Sequence, residues 1–288
     1  MKPIGILFRL TLREAARRKV LWGLLILGAL FLALYLLGLS LISSEVRQHL
    51  SEMRGIERAG GVGVIYNTFA MMALYAANFL MIMIAVLISI DTLAGEINSG
   101  TIQAIAVKPL RRREIVLGKW LGFATLLGIC TLFLSGGVLL ITLLVTGYLP
   151  PNPASGLILM FLETLVFLSI SLLGGTRLST LANGVVGFGL FGMAFIGAFI
   201  EQIGGVMQQL GSAGGATAAQ IAHIVAILMP SETLWRRAVA DMAVGQVNPI
   251  RMMTLGSSAP DQGVVWYALF YAAVLLGLAI LSFQRRDL

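Results

Sequence analysis

The residues best placed to do chemistry form a basic stretch at 96–119, which reads EINSGTIQAIAVKPLRRREIVLGK. Five cations fall within residues 108–119, namely Lys108, Arg111, Arg112, Arg113 and Lys119. A cluster of this kind can bind phosphate or carboxylate groups on lipid, protein or nucleic acid. Apolar runs flank it on both sides, and this favours a turn at a membrane surface over a nucleic-acid site.

A phosphate-binding loop would be the other use of such residues. The motif G-x-x-x-x-G-K-[ST] cradles phosphates with its backbone amides. The sequence has one Gly-Lys pair, Gly118-Lys119, but Trp120 follows it and Arg113 stands five residues before Gly118. The sequence therefore has no motif for ATP hydrolysis, and we predict that the chain is not an enzyme and carries no cofactor.

Two polar residues lie inside apolar runs. An ionised carboxylate at mid-bilayer costs about 2.5–3.5 kcal/mol on insertion scales. Glu163 should therefore face a cavity, a polar partner or a dimer seam, or be protonated. Glu163 is a candidate path or gate residue, and a structural hydrogen bond is the alternative. Asn78 is a weaker candidate of the same kind, because polar contacts often simply hold membrane helices together.

Metal and nucleophilic chemistry have little support. The single cysteine, Cys130, lies in an apolar run and is expected to be a small buried residue. His49 and His223 are the two histidines and lie in different predicted outer segments. We predict no catalytic residues and no metal site.

The composition indicates the kind of protein that must position these residues. Hydrophobic residues make up 58% of the chain, charged residues 11%, and the mean hydropathy is +0.93. A soluble domain carries about 25% charged residues. A membrane-spanning helix needs about 20 apolar residues. Six runs qualify, at 20–42, 68–90, 120–146, 157–175, 181–200 and 264–283. The prediction is an all-α, polytopic membrane protein with six transmembrane helices in one transmembrane domain, 1–288.

The basic residues predict the orientation. Fourteen of the twenty lysines and arginines fall on the side that holds both termini and the connection 92–117, and six fall on the other. Positively charged loops stay in the cytoplasm. We therefore expect a multi-pass protein of the cell membrane with both termini cytoplasmic.

The outer segment 201–263 is too long for a structureless loop. Within it, residues 216–229 are mostly apolar but too few to span, which suggests a re-entrant or interfacial helix. Pro230 marks a break, and a second helix is expected over 233–243. If residues 216–229 did cross the membrane, the C-terminus would face outward instead.

The leader 1–19 has the pattern of a basic amphipathic helix. Arg9, Arg13 and Arg17 recur at helical spacing among apolar residues, and Pro3 suits a first helical turn. Such a helix would lie in the headgroup layer. The alternative is a positive topology signal without defined structure.

One set of spaced residues in the basic stretch resembles a known signature. The connection between spans two and three in ABC-2 type transporter permeases reads roughly E-x-x-x-G-T, then Pro, Arg and G-K. A basic leader, six spans and the ending FQRRDL are also similar to that family. The matching residues here are Glu96, Gly100, Thr101, Pro109, Arg112, Gly118 and Lys119.

The resemblance implies a role for the connection 92–117. In ABC-2 permeases it carries a coupling helix that docks on a cytoplasmic ATPase subunit, which binds ATP and magnesium. The leader resembles the family's elbow helix, so Arg9, Arg13, Arg17, Arg111 and Arg113 are expected at the membrane surface. The residues implied in ATPase coupling are Glu96, Gly100, Thr101, Ile102, Ile105, Pro109, Arg112 and Lys119.

The resemblance also implies a second permease copy, identical or related. It further implies transport in the direction of export, through a path gated by spans two and five. A non-transporting membrane scaffold driven by an ABC ATPase is an alternative that the sequence does not separate from transport. A membrane-embedded enzyme would need paired catalytic groups within spans. A secondary carrier would be expected to show internal repeats and broken helices.

Overall fold

The computed structural model describes residues 3–50, 56–98, 111–211, 214–243 and 260–285. Within these ranges all the regular structure is α-helical. The helices in chain order are α1 Pro3–Arg17, α2 Lys19–Leu50, α3 Ile56–Asn98, α4 Arg112–Thr146, α5 Pro153–Gly175, α6 Thr180–Gln209, α7 Gly214–Leu228, α8 Ser231–Met242 and α9 Gly263–Gln284.

Six of these helices are long and apolar enough to cross a membrane, namely α2, α3, α4, α5, α6 and α9. This confirms the predicted all-α fold with six spans. Helix α3 extends well beyond its apolar run of 68–90 at both ends. A helix satisfies its own backbone hydrogen bonds in water as well as in lipid, so it need not end where the apolar residues end.

One end of the bundle, here called the basic end, is where α2 and α4 begin and α3, α5 and α9 finish. Arg18 reaches across it, and its Nη1 donates to the Ile88 carbonyl at 3.4 Å. The hydroxyls of Thr176 and Ser282 are 2.8 Å apart and join the ends of α5 and α9. These contacts connect the junction of α1 and α2 to α3, and α5 to α9.

The interior of the bundle is built around α3 and α5, which have the largest buried share of the six spans. Helices α2 and α9 have the smallest and present apolar side chains outward. Close-packed side chains such as Phe167, Met81 and Leu74 fill the space between the central helices. Residues carried by α3 and α5 are therefore removed from the surface.

Helices α7 and α8 form a bent pair with an angle of 97° between them. Pro230 stands at the bend, where its missing N–H prevents a continuous helix. Helix α7 packs on α6 at glycines: a Cβ on Gly204 would lie 2.7 Å from the Ala218 Cβ. Helix α8 returns, and the Met242 carbonyl accepts a 2.9 Å bond from Asn67 Nδ2.

The start of α7 and the end of α8 therefore both lie at the end of the bundle opposite the basic end. There Tyr148 follows α4, and its hydroxyl also accepts from Asn67 Nδ2 at 3.0 Å. Asp241, near the end of α8, accepts a 2.5 Å bond from the Ser155 hydroxyl at the start of α5. A pair that begins and ends at the same end of the bundle has the geometry of a re-entrant hairpin, and this name is used for it below.

The bend is held by two tyrosines of α9. The hydroxyl of Tyr267 donates to the Ile227 carbonyl at 2.5 Å, and that of Tyr271 donates to the Leu228 carbonyl at 2.7 Å. These carbonyls belong to the last turn of α7 and would otherwise lack helical partners. In a membrane such groups must be satisfied within the protein.

Helix α1 lies along the first half of α4. Leu7, Thr11 and Ala15 form its buried stripe, at the spacing of one helical face. A Cβ on Gly118 would lie 2.6 Å from the Leu7 Cβ, and one on Gly122 would lie 2.8 Å from the Thr11 Cβ. The two glycines thus allow the close approach that small residues give membrane helices.

Candidate functional site

Asn78 and Glu163, the two polar residues singled out within spans, are hydrogen-bonded to each other. Asn78 Nδ2 donates to Glu163 Oε2 at 2.8 Å. Asn78 is 4% exposed and Glu163 is 2% exposed. The bond joins the two central helices, α3 and α5. The carboxyl therefore has the polar partner that its position in a span requires.

The depth of this pair follows from the helix geometry. Glu163 lies ten residues after Pro153, the first residue of α5. At a rise of 1.5 Å per residue it is about 15 Å into the helix. This places the carboxyl near the middle of the hydrocarbon layer, where a polar side chain is most costly.

A second carboxyl comes close from the re-entrant hairpin. Glu232 is the second residue of α8, and its charge acts on Glu163 and on the Tyr75 hydroxyl. Glu232 also interacts electrostatically with two charged residues, Arg236 and Glu201. The bend thus brings a third chain segment to the Asn78–Glu163 pair.

An ion pair holds the other side of the hairpin. Arg236 Nη1 donates to Glu201 Oε1 at 2.7 Å and joins α8 to α6. The Arg236 side chain is 14% exposed and the Glu201 side chain 32%. Partly buried pairs with short bonds keep their geometry better than surface pairs. The start of α8 is therefore fixed relative to α6.

Aromatic rings surround the same region. Tyr75 and Trp235 have ring centroids 5.3 Å apart, and Phe79 and Phe191 have theirs 5.6 Å apart. Tyr75 is 40% exposed and Phe79 is 43% exposed, whereas Trp235 is 6% exposed. Tyr75 and Phe79 are one helical turn apart on α3. They form a partly open aromatic surface beside the buried polar pair.

Sequence reasoning missed Glu232, Glu201, Arg236 and Tyr75 as members of this site. They lie in α3, in α6 and in α8, and all but Tyr75 fall within the segment 201–263, which was predicted as an outer loop with re-entrant or interfacial helices. One signal was available: Glu232 follows Pro230 directly after an apolar stretch, in the position of an acidic residue at a helix start. That signal gives no indication of which span the glutamate would meet.

At the basic end the three consecutive arginines have different surroundings. Arg111 and Arg113 are exposed, whereas Arg112 is partly buried. Arg112 Nη1 donates to the Gln284 carbonyl at 3.2 Å, at the end of α9. Glu114 Oε2 accepts from the Arg111 backbone N–H at 3.1 Å and caps α4. Arg112 therefore connects the start of one span to the end of another.

The remaining basic candidates divide in the same way. Arg9, Arg13 and Arg17 are exposed on α1, away from the buried stripe of that helix. Lys119 is only 4% exposed. Its burial favours an internal structural role over a place on a docking surface, so we leave it out of the coupling surface proposed below.

The other coupling residues are only partly within the described structure. Glu96 belongs to α3, of which the backbone alone is described at that position. Gly100, Thr101, Ile102, Ile105 and Pro109 lie outside the described residues. Among the residues that are described, no group of three or more His, Cys, Asp or Glu side chains is placed to hold a metal ion.

Comparison with known proteins identifies the family of this chain. The family model described as "ABC-2 family transporter protein" matches residues 6–288. The chain is similar to the probable ABC transporter permease protein NosY of Pseudomonas aeruginosa, 37% identical over 79 residues, and to that of Stutzerimonas stutzeri, 40% identical over 72 residues. These alignments cover 27% and 25% of this chain, and 29% and 26% of the relatives. The match over residues 6–288 shows that the chain belongs to the ABC-2 transporter family.

Proposed function

We propose that the chain is the membrane-spanning permease subunit of an ABC transporter and moves substrate with energy from a separate ATPase subunit. The observation that carries this proposal is the family match over residues 6–288, together with six apolar helices long enough to span. The sequence has no Walker A motif, which is consistent with ATP hydrolysis by a partner.

We place the basic end in the cytoplasm. The connection between α3 and α4 is at this end, as are the exposed Arg9, Arg13 and Arg17 of α1. Exposed arginines beside a membrane bind anionic headgroups and are retained on the cytoplasmic side. On this assignment both termini are cytoplasmic and α1 lies against the membrane surface.

The coupling surface is assigned to Glu96, Gly100, Thr101, Ile102, Ile105 and Pro109. The route from it into the bundle is supported by contacts at the basic end. Arg112 follows the connection in the sequence and donates to the end of α9, while Arg18 donates to Ile88 at the end of the apolar run of α3. A displacement of the connection would therefore be passed to several spans together.

Movement of those spans would open the path alternately to the two sides of the membrane, as ATP binding and hydrolysis change the relative stability of the two packings. Two permease copies, identical or related, would enclose this path, and export is the proposed direction. Asn78 and Glu163 remain the candidates for the path, because they provide polar groups at mid-membrane depth.

The test is co-purification of the tagged chain with an ABC ATPase, taken first from the neighbouring genes. The variants Ile102→Asp and Ile105→Asp should abolish the complex and the stimulation of ATPase activity, because each puts a charge on the proposed apolar docking face. Gln103→Asp adds the same charge on another side of the predicted helix and serves as the control. Complex formation and stimulation that survive both isoleucine changes would refute the coupling assignment.

A further inference from the structure

Carboxyl groups outnumber basic side chains around the re-entrant hairpin in the described structure. Glu163, Glu201 and Glu232 come together there with one cation, Arg236, among the described residues. Arg236 forms its ion pair with Glu201 at 2.7 Å. Arg236 also interacts electrostatically with Glu232, so these carboxyls share a single guanidinium at a depth where a charge without a partner is costly.

An open hydrogen-bond acceptor lies at the same place. The Oδ1 atom of Asn78 is buried and has no hydrogen-bond partner among the described residues. It belongs to the amide whose Nδ2 binds Glu163, so it lies beside that carboxyl. Buried polar atoms are nearly always satisfied, and an exception calls for an explanation. The unused acceptor Asn78 Oδ1 could be satisfied by a positively charged or proton-donating ligand.

The third observation is the partly open aromatic surface of Tyr75 and Phe79. The Tyr75 ring packs on Trp235 of the hairpin. The Tyr75 hydroxyl interacts electrostatically with Glu232 and Glu163. Aromatic faces attract cations, most strongly where water is excluded. Carboxyls behind aromatic rings are the combination that recognises an organic cation with an apolar body.

The surface at this site is unsuited to lipid. Glu232 is partly exposed, although it lies beside a carboxyl near the middle of the membrane. A carboxylate in contact with hydrocarbon is strongly disfavoured, whereas one that lines a water-filled cavity between helices or subunits is tolerated. The side of the chain that carries Tyr75, Phe79 and Glu232 is therefore expected to face a cavity or a second permease copy rather than lipid.

We propose that this acidic and aromatic site binds lipophilic organic cations and gives the permease a preference for cationic substrates. Tyr75 and Phe79 hold the apolar body of the ligand, Glu232 compensates its charge, and the Asn78–Glu163 pair adds acceptors behind them. The substrate assignment rests on the proposed transport function, because only a path through the bundle would bring such a molecule to this depth.

The site can be tested without an ATPase. The full chain is placed in phosphatidylcholine nanodiscs, and binding of tetraphenylphosphonium and tetraphenylborate is measured by equilibrium dialysis against empty nanodiscs. The two probes have nearly the same size and shape and opposite charge. We expect saturable binding of the cation at least tenfold tighter than that of the anion.

The variants Glu232→Gln and Tyr75→Leu identify the site. We expect Glu232→Gln to weaken cation binding about tenfold, which corresponds to about 1.4 kcal/mol, and to leave anion binding unchanged. Tyr75→Leu should weaken cation binding at least threefold. Asp261→Asn removes an exposed carboxylate at the far end of the bundle and is the control. Each variant is first checked for a single gel-filtration peak.

Equal binding of the two probes would overturn the proposal, and so would cation binding that neither Glu232→Gln nor Tyr75→Leu changes. If one variant fails to fold, the other still decides the result. Loss of ATPase co-purification would refute the proposed function instead. The two failures are distinguishable, because the dialysis experiment requires no partner subunit.

Discussion

Asn78 on α3 and Glu163 on α5 share a 2.8 Å hydrogen bond inside the bundle. Eighty-five residues separate them in the sequence. The bond fixes the rotation of two central helices relative to each other, because each side chain can reach the other from only one helix face. A carboxyl that is costly to insert is thereby made part of the packing.

The first prediction concerns this bond. Asn78→Leu should lower the free energy of unfolding by about 1–3 kcal/mol, because it leaves a buried carboxyl without its donor. The double change Asn78→Leu with Glu163→Leu should recover most of the loss, since no unpaired polar group remains. Thermal unfolding of the purified chain in detergent gives the comparison. A double variant no more stable than the single one would contradict the interpretation.

The second prediction concerns the contact between α1 and α4. Gly118→Ala should displace α1, because the new Cβ would meet the Leu7 Cβ at 2.6 Å. Trypsin should then cleave faster at Arg9, Arg13 and Arg17. Gly136→Ala on the same helix is the matched control, since a Cβ there meets nothing within 4 Å. It should be neutral or stabilise α4 by up to about 1 kcal/mol.

The third prediction concerns the bend of the hairpin. Tyr267→Phe and Tyr271→Phe each remove a hydroxyl that satisfies a carbonyl at the end of α7. Each should cost about 0.5–1.5 kcal/mol. Hydrogen exchange should rise at residues 225–234 and remain unchanged in α4. Phe270→Leu, at an exposed ring of the same helix, is the control. Unchanged exchange in the double Tyr variant would show that these bonds do not hold the bend.

The fourth prediction separates the three arginines at the start of α4. Arg112→Gln should lower stability by about 1 kcal/mol, because its guanidinium donates to the carbonyl of Gln284 at the end of α9. Arg113→Gln, at an exposed position, should change stability by less than about 0.5 kcal/mol. Thermal unfolding in detergent measures both. Equal effects would mean that Arg112 acts only through its charge.

The helices were largely predictable from the sequence, because each depends on local composition. The spans needed only runs of apolar residues, and the break at Pro230 needed only the chemistry of proline. The extra length of α3 was not predictable from the apolar run, since backbone hydrogen bonds continue a helix into water. The site was predictable only in part: Glu163 and Asn78 were identified, but not as partners.

Glu232 shows why the remainder of the site was missed. Its place in the sequence, after a predicted re-entrant or interfacial helix in a long connection, did not indicate which span it would meet. A bend of 97° between α7 and α8 brings it within electrostatic reach of Glu163. The bend angle depends on packing against α6 and on hydroxyls from α9, which are contacts between residues far apart in the chain.

The sequence by itself determined that this chain has six apolar helices, a basic connection with the spacing of a family signature, and a carboxyl in a span that needs a polar partner, a cavity, a dimer seam or a proton. Hydropathy and insertion cost are properties of single segments, so they can be determined without knowledge of their neighbours. Only the tertiary structure decided that Asn78 is that partner, that α1 packs on Gly118 and Gly122, and that Glu232 joins the site. Those choices depend on which helix faces meet, and that is set by the packing of the whole bundle.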